Sequence, residues 1–171
     1  MYKVRNIVRE SLPVLITTSG ISMIAGLFLQ NMEKTLYTVP FLLTIIPALN
    51  DMIGDFCCIL TSRLSTAFKL GYLKLIRKVF LQIFFVSFLS SLYLAEIGCL
   101  LHPDLPLEKA ILIVLLTSSS LILTLSAVTY VLMLYTLRKN VDPDNVIIPI
   151  ATSLADVLSI FIFGLVVSTV L

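Results

Sequence analysis

Five long apolar stretches, each bounded by polar or charged residues, divide the chain at about 11–30, 36–61, 79–101, 110–137 and 144–171. As a helix rising about 1.5 Å per residue, each is long enough to cross a hydrocarbon core about 30 Å thick. The polar breaks between them are short, and no repeat or low-complexity linker interrupts the series. The pattern predicts an all-α membrane protein: one domain over 1–171, built from five transmembrane helices. The last stretch has the clearest beginning. Asp142 suits an N-cap, Pro143 the first helical position, and Asp144 the positive end of the helix dipole.

Composition fits the same reading. Of 171 residues, 58% are hydrophobic and 13% charged, where a soluble domain carries roughly a quarter charged; the mean hydropathy is +1.06. The opening MYKVRNIVRESLP places basic residues before an apolar run without a small-residue cleavage pattern, so the first span is expected to be an uncleaved helix. Charge then orients the helices. Lys3, Arg5 and Arg9 precede the first span, Arg63, Lys69, Lys74, Arg77 and Lys78 lie between the second and third, and Arg138 and Lys139 follow the fourth. Ten of the twelve Lys and Arg therefore share one side, leaving Lys34 and Lys109 opposite. The N-terminus is expected inside and the C-terminus outside. The segment from Arg63 to Lys78 has two open readings: a solvated basic loop, or an amphipathic helix on the membrane surface whose cations meet anionic headgroups. The surroundings implied are a lipid bilayer and not a nucleic acid.

Against this apolar background three acids stand out. Asp51 and Asp55 are four residues apart in the second span, on one helix face, next to Asn50. Asp156 lies twelve residues past Asp144, roughly 18 Å along the last helix. Asp51 is about as far in from Arg63, so it and Asp156 are expected near mid-membrane, with Asp55 somewhat nearer the inner face. A lone carboxylate at that depth costs about 2.5–3.5 kcal/mol on insertion scales. No basic residue in any predicted span can neutralise the three, which leaves protonation or a bound cation. Pro47 and Pro149 each remove a helical hydrogen bond and are expected to kink their helices, freeing the carbonyls of Leu43 and Asn145. Irregular backbone at membrane depth is tolerated where it is buried in protein or lines a wet cavity. An oxygen-only set of Asp156, Asp51, Asp55, Asn50 and Thr152 with Ser153, with Asp144 and Asn145 at the inner mouth, suits a hard divalent cation such as Mg²⁺.

Other residues argue for nothing more specific. His102 is the only histidine and reads as a solvated loop residue; Cys57, Cys58 and Cys99 lack metal-ligand spacing and read as structural thiols. The hydroxyls of the fourth span (Thr117 to Ser120, Thr124, Ser126 and Thr129) and of the first (Thr17, Thr18, Ser19 and Ser22) read as packing residues. No nucleophile is paired with a base, so no enzyme is expected.

Two of these stretches carry a family resemblance. From Pro47 to Thr66, P-A-L-N-D-M-I-G-D-x₆-S-R-L-S-T resembles the second-helix signature of the MgtE family and its eukaryotic solute-carrier relatives, which is close to P-A-L-x₄-G-N-x₆-S-R-L-S-T. D-P-D-N-V-I-I-P-I-A-T-S-L-A-D, from Asp142 to Asp156, resembles the family's final-helix signature. The resemblance implies a divalent-cation channel or transporter, chiefly for Mg²⁺ as the transported ion, whose pore lies between two five-helix units with Asp156 at the central ion. With one unit per chain, it implies a homodimer. The chain departs from the pattern in having Gly54-Asp55 for Gly-Asn and an acid at Asp51. With a first span near residue 11, the cytoplasmic acidic and CBS domains of the bacterial members are expected to be missing. Two other readings stand beside this one: a non-conducting subunit that needs a partner, and a proton-coupled cation carrier.

Overall fold

The computed structural model describes residues 4–31, 33–72, 74–139 and 141–171. All of the regular structure in them is helical: α1 (Val4–Asn31), the short α2 (Glu33–Thr38), α3 (Pro40–Lys69), α4 (Lys74–Leu101), α5 (Leu107–Arg138) and α6 (Pro143–Val170). Every helix but α2 is long and apolar enough to cross a membrane. Of the basic residues used above for orientation, Lys3 lies outside the described residues, as do the side chains of Arg5 and Lys34.

Helices α3, α5 and α6 share the centre, where Leu49, Ile53, Leu121, Leu125, Met133 and Phe163 are among the largest fully buried side chains. Helix α4 packs on α3 and α5, away from α6. Helix α1 stands apart: among the described residues it packs along α6 and touches only α2 besides. Most of its large apolar side chains, Leu12, Ile16, Met23 and Leu27 among them, face outward. In a membrane such a surface meets lipid tails at no cost, so one seam is enough to hold the helix.

The basic segment is neither a loop nor a surface helix. Helix α3 continues to Lys69 because its buried stripe continues: Leu64, Ser65 and Ala67 still face the bundle, while Arg63 and Thr66 point away. A tight turn follows. Gly71, at φ +73°, adopts the left-handed backbone that side chains disfavour, and its N–H and that of Tyr72 donate to the carbonyls of Phe68 (3.2 Å) and Ala67 (2.9 Å). Helix α4 then starts at Lys74. At the far end of this hairpin α4 comes very close to α3. A Cβ on Gly98 would sit 2.6 Å from the buried Phe41 ring and 2.9 Å from Ile45, so only glycine fits.

Smaller differences follow the same rule. Residues 36–38, expected in the second span, belong to α2, and Pro40 opens α3 as helix-starting prolines do. Pro47 and Pro149 both lie inside helices that continue past them, as does Pro13 in α1. His102, just past the end of α4, is half-buried, and its backbone N–H donates to the Gly98 carbonyl (3.0 Å).

Candidate functional site

Helix α6 begins as its sequence dictates. The Asp142 carboxylate accepts from the backbone N–H of Asp144 at 3.4 Å, satisfying one orphan donor of the first turn. The same carboxylate receives Lys69 from the end of α3 at 3.3 Å, the one ion pair among the described residues. This contact brings the basic end of α3 to the start of α6.

From there α6 runs parallel to α1, and the two are joined by polar rungs. Asn145 donates to Glu10 at 3.0 Å. Two turns further, Ser153 donates to the Thr18 carbonyl at 2.9 Å and lies 3.1 Å from the Ser22 hydroxyl. Ser22 donates in turn to Asp156 at 3.4 Å. Phe28 meets Phe161 edge-on above these rungs, with ring centroids 6.0 Å apart. Between the helices lies a groove of about 470 Å³ lined by Thr18, Ser19, Ser22, Thr152, Ser153 and Asp156 together with apolar neighbours. Asp156 is half-buried at its wall. Every polar side chain in the lining ends in oxygen, the donor type that hard cations take.

The second-span acids lie on α3, which also packs against α6. A Cβ on Gly54 would lie 3.8 Å from the Thr152 methyl group, which puts α3 and α6 in van der Waals contact there. The helices are antiparallel, so Asp51 falls level with Ala155, within one residue of Asp156. The side chains of Asp51 and Asp55 are exposed on the outside of the bundle, on a stripe with Pro47. Asn50 is half-buried, and its Oδ1 is buried with no hydrogen-bond partner; Asp144 Oδ1 is in the same condition. A buried acceptor left unpaired costs about 1–3 kcal/mol. Among the described residues no three Asp, Glu, His or Cys side chains of the chain gather as a ligand set. Asp156 and Thr152 share a groove, therefore, while Asp51 and Asp55 lie at overlapping depth, exposed and outside its lining.

Two participants are not singled out by the sequence as site residues: Glu10 and Ser22. By sequence Ser22 and Thr18 read as packing residues. A signal for them exists, because the first and last spans run in the same direction. Laying them side by side from their starts at about 11 and 144 brings Glu10 within two residues of Asn145 and Ser22 within one of Asp156.

No curated protein and no solved structure is similar to the chain. A family profile does match residues 46–166, from the first quarter of α3 through most of α6, and its description is "Divalent cation transporter". Asn50, Asp51, Asp55, Thr152 and Asp156 all fall within the matched region, and α1 lies outside it. With five candidate membrane helices and a family match over most of its length, this chain is an integral membrane transporter, not an enzyme, and belongs to the MgtE family of divalent cation transporters.

Proposed function

We propose that the protein carries Mg²⁺ across the cell membrane as a homodimer of single five-span units, with Asp156 of each subunit holding the hydrated ion at the two-fold axis. Asp51 and Asp55 line the inner part of the path, and Asp144 and Asn145 stand at its inner mouth. One observation carries the reading: Asp156 is half-buried in an open groove whose polar side chains all end in oxygen, and among the described residues no Lys or Arg lines it. The exposed Asp51 and Asp55 support the dimer, since a carboxylate facing lipid at mid-depth costs several kcal/mol and a second subunit would remove that exposure. Mg²⁺ keeps several of its waters, so a few carboxylates from two subunits are enough to hold it. The N-terminus is inside and the C-terminus outside. Supporting this, Arg9, Arg63, Lys69, Arg77 and Lys139 all belong to the end of the bundle where α6 begins, and Lys109 to the other.

The test is Mg²⁺ flux into proteoliposomes of the purified protein, wild type beside Asp156→Asn. Flux in the wild type and none in the variant is the expected result. Equal flux in both refutes the ion-site assignment, and no flux in either, from folded protein, favours a subunit that needs a partner. An imposed pH gradient separates the remaining alternatives, because a proton-coupled carrier responds to it and a channel does not. Asp55→Asn, which restores the family's Gly-Asn pair, is expected to keep transport but raise the half-saturating Mg²⁺ concentration.

A further inference from the structure

On the face formed by α4 and α5, which α1 does not touch, the bundle carries a second and larger groove of about 840 Å³. Its walls are almost wholly apolar. Phe80 and Tyr130 pack edge-on with centroids 6.2 Å apart, Phe68 of α3 closes one end at 6.3 Å from Tyr130, and Leu81, Phe84 and Leu123 form the flanks. Ala127 and Ser126 leave the floor low. The only charged residue in the lining is Arg77, one turn inside the start of α4 at the basic end of the bundle. Among the described residues Arg77 has no ion-pair partner. From Arg77 to Phe84 the groove runs roughly 10 Å along α4.

We infer that this groove is a binding site for one anionic glycerophospholipid, with an acyl chain between α4 and α5 and the phosphate on Arg77. The chemistry matches at both ends. An acyl chain gains dispersion contacts in a slot that the helices themselves leave unfilled. A guanidinium that reaches toward the interface offers paired donors to a phosphate, and basic sites between spans are where anionic headgroups lodge. Lys74 and Lys78 flank Arg77 on the same helix end and add to the local positive field. The groove is walled by α3, α4 and α5 and the Asp156 groove by α1 and α6, so the lipid site stands whether or not the ion assignment does.

Native mass spectrometry of the full chain in detergent tests this, with phosphatidylglycerol and phosphatidylcholine of identical chains added in competition. Wild type is expected to retain one phosphatidylglycerol per chain in preference to phosphatidylcholine. Arg77→Gln is expected to cut that preference about fivefold, the effect of one basic residue at an anionic surface, and Arg77→Lys to keep most of it. Ala127→Phe, which fills the floor, is expected to abolish retention of both lipids. Unchanged retention in Arg77→Gln and Ala127→Phe overturns the site. So does loss in Arg77→Gln alone, which describes surface charge without a groove, and so does loss in Ala127→Phe alone, which describes an apolar slot without headgroup selection. A shift of Ala127→Phe from dimer to monomer with lipid retention intact would show that a second copy of the chain is the occupant instead.

Discussion

Two helix seams in this protein are rich in hydroxyl side chains, and they differ in what the hydroxyls lead to. Between α4 and α5, Ser91 donates to the Ser87 carbonyl and to Ser118, each at 2.7 Å, and Thr117 returns to the Ile113 carbonyl at 2.7 Å. All four of those side chains are buried, and the network closes on itself. Between α1 and α6 the chain of contacts through Thr18, Ser153 and Ser22 ends instead on the half-buried carboxylate of Asp156 and opens into a groove. Small hydroxyl residues let helices approach in both places. Only in the second seam, among the described residues, do they meet a carboxylate.

That contrast can be broken in several ways. The largest effect is expected from Asp156→Asn, which should bring Mg²⁺ flux to the level of empty vesicles while leaving helix content unchanged by circular dichroism. Ser22→Ala should raise the half-saturating Mg²⁺ concentration about fivefold, the equivalent of about 1 kcal/mol for one hydrogen bond to the carboxylate. Ser22→Thr should recover most of that. Ser118→Ala in the closed seam should do the opposite: lower resistance to denaturation by about 0.6 kcal/mol and leave flux as it was. If Ser22→Ala and Ser118→Ala behave alike in the flux assay, the two seams are the same kind of structure and the contrast fails. The smallest effect belongs to Lys69→Ala, whose exposed ion pair with Asp142 is worth less than about 1 kcal/mol and should fade with added salt.

The spans themselves were legible because hydropathy over 20 or more residues overwhelms local detail. Their ends were not. Arg63 looks like the edge of the second span, yet a helix stops only when its buried stripe stops, and Leu64, Ser65 and Ala67 carry that stripe to Lys69. The acids were legible for a different reason: Asp51, Asp55 and Asp156 are conspicuous because their surroundings are apolar. Their distribution between a groove and an outer face was not, since that depends on how α3 and α6 are rotated against each other. Glu10 and Ser22 were hidden further, because their role rests on the parallel register of α1 and α6, the first and last helices of the chain. No local pattern reports a pairing over more than 130 residues, as between Ser22 and Asp156.

The α3–α4 hairpin has a mechanical consequence. It is pinned at one end by the short turn at Gly71 and at the other by the Gly98 backbone against Phe41, and there the Phe41 N–H also donates to Asp104 at 3.4 Å. A pair of rods clamped at both ends cannot shear past each other; it can only tilt as one lever. The acids of α3 ride on that lever and Asp156 sits on its neighbour. Any rearrangement that changes the spacing between Asp51 and Asp156 must therefore swing α4 as well, and with it the far wall of the bundle.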